Sequence, residues 1–154
     1  MPREQFHRGL QDVQDGVLEM GSMVDRQIER AMQALIERDT LLAEAVVRDD
    51  DEVNRARFHL DNVCVSLLAQ QAPMASDLRL IVAVLAMVSD LERMGDHAEG
   101  IARIVLMMQG APPVMPIEDI VQMARHAREM LHAALDAFTQ RSVEAAYEIG
   151  RAHV

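Results

Sequence analysis

The sequence predicts an all-α fold, and three observations lead to that class. Apolar residues recur at steps of three and four over long stretches, which is the period of an amphipathic helix. Only 3% of the 154 residues are aromatic, whereas 50% are hydrophobic and twelve are Met. A core of aliphatic side chains and Met favours helix-on-helix packing over a β-sheet. We therefore expect an antiparallel three-helix bundle, running up, down and up, followed by an incomplete second repeat of the same kind.

Helix A is predicted from about Pro2 to Arg38 by its apolar stripe. Gly9, Gly16 and Gly21 interrupt the helix, and each costs about 1 kcal/mol relative to Ala. We interpret these glycines as points where another helix approaches closely. The apolar positions are Phe6, Leu10, Val13, Val17, Met20, Val24, Ile28, Ala31 and Leu35.

Helices B and C are predicted to form a hairpin. Asp39 or Thr40 is the expected N-cap of helix B, which continues to about Gln71. Pro73 marks the turn, because the residue before a proline avoids the α region. Helix C then runs from about Met74 to Met108.

The segment 110–116 contains one Gly and three Pro, so it is predicted to be a linker. It separates a complete three-helix repeat at 1–109 from a partial second repeat at 117–154. Helix D begins the partial repeat, and Ser142 is the candidate N-cap of a short helix E.

An internal repeat relates the two parts, because a shift of 103 residues aligns helices D and E with helix A and the start of helix B. At this shift His153 and Val154 fall on Asp50 and Asp51, so most of a second helix B and all of a second helix C are missing from the sequence. The aligned pairs include Ile28 with Leu131, Ala31 with Ala134, Met32 with Leu135, Leu35 with Phe138, Arg38 with Arg141, Ala43 with Ala146 and Val46 with Ile149.

The charge balance excludes several classes of partner. A net charge of −10 argues against nucleic-acid binding and against adsorption to an anionic membrane. The N-terminus has no apolar signal segment, and the longest apolar run, 80–89, is too short to span a bilayer, so we expect a cytoplasmic protein. Cys64 lies in an apolar stretch and is interpreted as a buried structural thiol.

Acidic residues replace apolar ones on facing sides of helices B and C. On helix C, Glu92 and Asp96 lie within about 20° of the direction of Leu85. On helix B, Asp50 and Asn54 share one side, as positions four apart do. If the hairpin turns about Pro73, residues whose numbers sum to about 146 lie level, which places Asp50 opposite Asp96 and Asn54 opposite Glu92.

Such a cluster needs its repulsion relieved by protonation, by arginine or by a bound cation. Oxygen ligands favour Mg, Ca, Mn or iron over a structural zinc. His97 points about 100° away from Asp96 and is at most a marginal ligand. The alternative is that both stripes are solvated helix faces without a ligand.

Two segments carry a family resemblance: Gln71-Ala-Pro-Met-Ala-Ser-Asp-Leu-Arg79 and Leu91-Glu-Arg-Met-Gly-Asp-His-Ala98. They are similar to the Q-x-P-x-A-x-D-L-R turn and the L-E-R-I-G-D-H-A signature of the PhoU family, the accessory and regulatory proteins of phosphate-specific transport. The segment 20–24 and the spacing of Asp50 and Asn54 also fit this family. The resemblance extends over nearly the whole chain.

The resemblance implies a cytoplasmic regulatory adaptor that is not an enzyme. Such a protein couples the phosphate ABC transporter ATPase to a sensor histidine kinase, and acts as a negative regulator of the phosphate-starvation response. It meets the membrane only through its partners. The resemblance also implies iron or another divalent metal (Mn, Mg or Zn) bound through paired E(D)-x-x-x-D motifs. In this sequence the motifs correspond to Asp50 and Asn54 on helix B and to Glu92 and Asp96 on helix C.

The sequence departs from the family pattern at two points. Asn54 replaces a carboxylate of the first motif, and the second repeat lacks its own helices B and C with their motif. The chain is therefore a fragment or a natural short form. The apolar faces of helices D and E are expected to pack onto the first repeat or onto a second chain, which predicts a homodimer.

Two further functions are open at this point. One is a carboxylate-bridged di-metal enzyme, although such helical bundles use Glu-x-x-His pairs and the hairpin carries Glu92-x-x-x-Asp96-His97 instead. The other is a phosphotransfer module carrying phosphate on His97, which the neighbouring Asp96 and Glu99 would repel. No Gly-rich phosphate loop or nucleophile elbow occurs in the sequence, so no catalytic residue is assigned.

Overall fold

The computed structural model describes residues 2–70 and 72–152, and its helices follow the predicted order. No β-strand occurs in these two ranges, so the predicted all-α class is confirmed. None of the helices described is long and apolar enough to cross a membrane. The helices are α1 (Pro2–Glu37), α2 (Thr40–Gln70), α3 (Ala75–Met108), α4 (Glu118–Gln140) and α5 (Val143–Ala152).

The helix ends agree with the sequence-based boundaries to within one or two residues. Chain without helical structure joins α3 to α4 and includes the predicted linker 110–116. The predicted last residue of helix B, Gln71, lies outside the described residues. The same holds for His153 and Val154, which end the repeat alignment.

The turn between α1 and α2 has a specific geometry. Arg38 adopts a left-handed conformation with φ 57°, and the Asp39 backbone N–H donates to Ala34 O at 3.0 Å. This is a Schellman arrangement, which satisfies carbonyls at the end of α1. Asp39 Oδ1 then accepts a hydrogen bond from the Leu42 N–H at 3.0 Å. Asp39 is therefore the N-cap of α2, because its side chain satisfies an amide of the first turn.

The turn between α4 and α5 repeats that geometry. Arg141 has φ 52°, and the Ser142 N–H donates to Ala137 O at 2.9 Å. Ser142 Oγ accepts a hydrogen bond from the Ala145 N–H at 3.1 Å, so the predicted cap is present. The four residues lie 103 positions after their counterparts in the first turn. The internal repeat therefore holds for local backbone structure as well as for sequence.

The described chain divides into two compact units that cut across the long helices. Unit 1 consists of Met1–Val24 and Asp49–Asp96, and unit 2 consists of Asp25–Arg48 and His97–Val154. The sequence-based division into repeats at 1–109 and 117–154 stays a prediction. The unit 1 core includes Val13, Val17, Met20, Val53, Leu60, Cys64, Ile81, Val84 and Val88, and the unit 2 core includes Ile28, Ala31, Leu35, Ala102, Val105, Leu131 and Ala137.

Two glycines of α1 allow α2 to approach closely within unit 1. A Cβ atom added to Gly9 would lie 2.8 Å from Leu67 Cδ2, and one added to Gly16 would lie 2.5 Å from Leu60 Cδ2. Both distances are too short for carbon atoms in van der Waals contact. The close-approach interpretation is therefore confirmed for these two positions.

Within unit 2, α4 is tied to α1 by ion pairs. Arg128 Nε donates to Asp25 Oδ1 at 2.8 Å, and Arg128 Nη2 donates to Asp25 Oδ2 at 3.1 Å. Arg128 also contacts Glu29, and His132 Nε2 lies 3.0 Å from Asp25 Oδ1. The hydrogen bonds from Arg128 hold the pKa of Asp25 below its usual value of 3.8.

Candidate metal site on helices α2 and α3

The α2 side of the site is formed by polar residues at Asp50, Asn54, Arg57 and Asp61. Their spacing places them on one side of the helix. Asp50 is buried, with 5% of its surface exposed. Asn54 Nδ2 donates a hydrogen bond to Asp50 Oδ2 at 3.2 Å. A buried carboxylate is costly unless its charge is compensated, and Asp50 has interactions in addition to this hydrogen bond.

The amide oxygen of Asn54 has a different environment from its nitrogen. Asn54 Oδ1 is buried and accepts no hydrogen bond from any residue in the described ranges. A buried acceptor without a donor costs about 1–3 kcal/mol. Amide oxygens are accepted ligands of hard cations, so a bound ion would satisfy this atom. Asn54 therefore keeps an oxygen donor at the position where the family motif has a carboxylate.

Arg57 joins α2 to α3 through carboxylates on both helices. It forms an ion pair with Glu92 of α3, and its Nε lies 3.4 Å from Asp61 Oδ2 on α2. The Glu92 side chain is 20% exposed, so water screens this pair only in part. Glu92 is thus already compensated by a cation of the protein.

Carboxylates from the two helices converge one turn away from Glu92. Asp50 and Asp96 each offer one oxygen atom, and these atoms lie within 4.8 Å of each other. Glu99, one turn further along α3, offers another within 4.8 Å of that of Asp96, and it also accepts a hydrogen bond from Arg103 Nε at 2.9 Å. No hydrogen bond or ion pair joins Asp96 to another described residue. Like charges at this separation repel, and a cation between them would relieve the repulsion.

The donor set fits a hard divalent cation. All of the candidate donors are oxygen atoms, whereas structural zinc sites rely on Cys and His. Ligands on opposite sides of one Mg or Ca ion lie about 4–5 Å apart, because each bond is about 2.0–2.6 Å long. The separation of the Asp50 and Asp96 oxygens is compatible with that arrangement. These residues therefore fit Mg, Mn, Ca or iron in its divalent form.

The structure brings together part of the predicted ligand set. Asp50 lies opposite Asp96, as the predicted register requires, and Asn54 is hydrogen-bonded to Asp50. Glu92 lies against Arg57 and outside this group. Glu99 was not among the predicted ligands, although its spacing of three from Asp96 places it on the same side of α3. The complete set of four ligands stays a prediction.

Two other candidate groups do not belong to this carboxylate group. His97 is exposed on α3 and is not one of the converging residues. Cys64 is buried, and burial, assisted by the charge of Asp61, raises the pKa of its thiol to about 11. The thiol therefore stays protonated at neutral pH and is neither a nucleophile nor a ligand there.

Comparisons with known proteins give the site a family context. The family model described as "PhoU domain" matches residues 17–105. A phosphate-specific transport system accessory protein PhoU homolog from Pseudomonas aeruginosa is 37% identical over 150 residues, covering 96% of this chain and 62% of the relative. The PhoU accessory protein of Escherichia coli is 35% identical, covering 96% of this chain and 61% of the relative. The chain thus spans about three fifths of the length of these relatives.

Solved structures agree with the sequence comparisons. The crystal structure of PhoU from Pseudomonas aeruginosa matches with a TM-score of 0.89 and 34% identity, over 95% of this chain and 70% of that one. The structure of the phosphate transport system regulatory protein PhoU from Streptococcus pneumoniae matches with a TM-score of 0.86 and 32% identity, over 95% and 69% of the two chains. This level of sequence identity and coverage shows family membership as well as a shared fold. The chain therefore belongs to the PhoU family.

Proposed function

We propose that this chain is a cytoplasmic regulatory accessory protein of phosphate uptake, acting through binding to other proteins. The observation that carries the proposal is its similarity, over 150 residues, to proteins named as accessory proteins of the phosphate-specific transport system. In finer detail, we propose that it couples the ATPase of the phosphate ABC transporter to a sensor histidine kinase. It then acts as a negative regulator of the phosphate-starvation response.

A reporter of phosphate-starvation gene expression tests this function. The chain is expressed in a bacterium that lacks its own PhoU, with a full-length relative as the positive control. We expect the chain to lower the reporter signal when phosphate is plentiful, and to co-purify with the transporter ATPase and the kinase. If the full-length relative restores repression while the chain neither represses nor binds either protein, the proposal is wrong for this chain.

We further propose that the α2–α3 hairpin binds iron or another divalent metal through Asp50, Asn54 and Asp96, with Glu92 or Glu99 completing the ligands. The support is the convergence of Asp50 and Asp96, together with the buried Asn54 oxygen that accepts no hydrogen bond from the described residues. A metal-binding regulatory protein fits these observations better than a di-metal enzyme. The donors of this hairpin are all oxygen, whereas bundle di-metal enzymes add a histidine from a Glu-x-x-His pair.

Elemental analysis of metal-stripped and reloaded protein tests the metal proposal. Asp96→Asn should lower the bound metal severalfold, whereas Asp90→Asn, an exposed change on the same helix, should leave it unchanged. Metal content that is equal in the wild type and in Asp96→Asn would remove the site. Glu92→Gln and Glu99→Gln then separate the two ligand sets, because only the true ligand lowers the metal content.

A further inference from the structure

Arg57 joins the two helices of the α2–α3 hairpin within unit 1. It forms an ion pair with Glu92 of α3, and its Nε lies 3.4 Å from Asp61 Oδ2 on α2. Two other arginines of the hairpin contact only their own helices: Arg55 donates to the backbone of α2, and Arg93 pairs with a carboxylate of α3. Arg57 therefore places a positive charge between carboxylates of both helices.

The pair between Arg57 and Glu92 is only partly open to solvent. The side chain of Arg57 is 34% exposed, and that of Glu92 is 20% exposed. Water and salt screen a partly buried pair less than a pair on the surface, so the attraction between these two charges is stronger. Removing one member of such a pair leaves the other charge without compensation in a poorly solvated place. Arg57 thus has the electrostatic effect on Glu92 that a bound cation would have.

The converging oxygen atoms of Asp50 and Asp96 lie at the other end of the same face. Along α2, Arg57 follows Asp50 by seven residues, which is about two turns or ~10 Å of helix. Asn54 lies between them and donates to Asp50 Oδ2 at 3.2 Å. The face therefore has two acidic centres, one at Asp50 and Asp96 and the other at Glu92. The protein supplies an arginine to the second centre, whereas no hydrogen bond or ion pair joins Asp96 of the first to another described residue.

The charge balance of the face favours one divalent ion over two. The motif positions carry three negative charges, because an amide replaces one carboxylate; these positions are Asp50, Asn54, Glu92 and Asp96. Arg57 lowers the total to two negative charges, which one divalent ion balances, and ligand charge governs how strongly a site holds a cation. Asp61 is more exposed than Glu92, so water screens its charge more. A second divalent ion beside Glu92 would have to displace the guanidinium or lie against its positive charge, and both are unfavourable.

We propose that the guanidinium of Arg57 takes the place of a second metal ion in the α2–α3 hairpin. The hairpin then holds one divalent ion, at Asp50 and Asp96, and Glu92 is not one of its ligands. This inference rests on the metal binding proposed above and deepens it, because it assigns the number of ions and the residue that limits this number. It holds whether or not the chain regulates phosphate uptake.

Counting the Mn²⁺ ions bound by the full chain tests the inference. The protein is stripped of metal, dialysed against Mn²⁺ and submitted to elemental analysis. Arg57→Met removes the guanidinium and leaves Glu92 and Asp61 without their cation, whereas Arg57→Lys keeps the positive charge. Arg55→Met removes the same charge from an exposed position of α2 and is the matched control. The double variant Arg57→Met/Glu92→Gln removes the carboxylate that Arg57→Met leaves uncompensated.

We expect about one Mn²⁺ per chain in the wild type, in Arg57→Lys and in Arg55→Met, and about two in Arg57→Met, because the uncompensated carboxylates attract a second ion. The double variant should return to about one ion per chain. Electron paramagnetic resonance of Arg57→Met should show the broadening that two neighbouring Mn²⁺ ions cause. Circular dichroism confirms the fold of each variant. If Arg57→Met does not fold, Arg57→Gln takes its place, because its amide keeps a hydrogen-bond donor for Glu92 without the charge.

The outcomes separate the role of Arg57 from the metal site itself. One ion in the wild type and one in folded Arg57→Met would leave the metal site standing and overturn the role of Arg57. No ion in the wild type but one in Arg57→Met would support Arg57 as the stand-in for a metal ion and contradict the site at Asp50 and Asp96. Two ions in the wild type, no ion in either protein, or an equal gain in Arg55→Met would overturn the inference.

Discussion

The two copies of the internal repeat carry the same amphipathic pattern but differ in burial. Val17 and Met20 of α1 are fully buried. Their counterparts 103 residues later, Ile120 and Met123 of α4, are 36% and 69% exposed. The pattern of a helix specifies which side is able to be buried, and the neighbouring elements determine whether that side is covered. Equivalent sequence positions therefore have unequal energetic importance.

The copies also differ in charge where they meet. Asp25 and Arg128 are equivalent positions, and so are Glu29 and His132, since each pair is 103 residues apart. Equivalent residues touch each other only near a two-fold axis, so α1 and α4 pack about a local pseudo-two-fold axis within unit 2. Identical acidic residues in both copies would repel there. The reversal of sign in the second copy turns this repulsion into hydrogen-bonded ion pairs.

The largest effect is expected from truncating a buried methionine, compared with the equivalent exposed methionine. Met20→Ala should lower the free energy of unfolding by about 2–5 kcal/mol, because it leaves a cavity in the core. Met123→Ala, the equivalent change on an exposed surface, should change it by no more than about 0.5 kcal/mol. Urea unfolding monitored by circular dichroism measures both. Equal losses in the two variants would show that the face of α4 is covered in solution.

The next largest effect is expected from substitutions that break the contact between the equivalent positions Asp25 and Arg128. Asp25→Asn removes the negative charge and one of the two oxygen atoms that accept from Arg128, and it should cost about 1–3 kcal/mol of unfolding free energy. Glu29→Gln removes one exposed contact to the same Arg128 and serves as the matched control, with a cost below about 1 kcal/mol. If the two variants were equally stable, the contact between Asp25 and Arg128 would contribute no more to the free energy of unfolding than an exposed ion pair does.

A pH series sharpens the same comparison. Arg128 lowers the pKa of Asp25 in the folded state below 3.8, so this carboxylate binds its proton less readily when folded than when unfolded. Its contribution to stability is present above pH 3.8 and is lost as the pH falls through the folded-state pKa. The difference in unfolding free energy between the wild type and Asp25→Asn should therefore shrink below pH 3.8. A difference that grows on acidification would reverse the assigned sign.

The smallest effect is expected from removing the side-chain caps of α2 and α5. Asp39→Ala removes the side-chain acceptor for the Leu42 N–H and should cost about 0.5–2 kcal/mol. Ser142→Ala removes the equivalent acceptor before α5 and should cost less, because none of residues 143–151 is buried. Chemical denaturation gives the total cost, and amide hydrogen exchange shows whether α5 alone opens in Ser142→Ala. A larger loss for Ser142→Ala would show that α5 contributes more to stability than its exposure indicates.

The candidate site shows how far the sequence leads. Periodicity placed Asp50 and Asp96 on facing sides, and Pro73 set the register that brings them together, because helical geometry fixes direction and height. Arg57 and Arg93 were both expected as groups that could relieve the carboxylates. The sequence did not predict that Arg57 pairs with Glu92, since a long arginine side chain reaches several carboxylates and its choice depends on packing. Glu99 was missed because the ligand motif was taken at a spacing of four, whereas Asp96 and Glu99 lie three apart.

The sequence by itself determined the helices, their capped turns, the repeat and the order of polar residues along each helix. These properties follow from local backbone preferences and from the 3.6-residue period. Only the tertiary structure decided that Met20 is buried while Met123 is exposed, that Asp25 meets its own counterpart Arg128, and which carboxylates converge. These properties depend on which side chains become neighbours when distant segments pack. Local sequence does not determine the energies of such contacts.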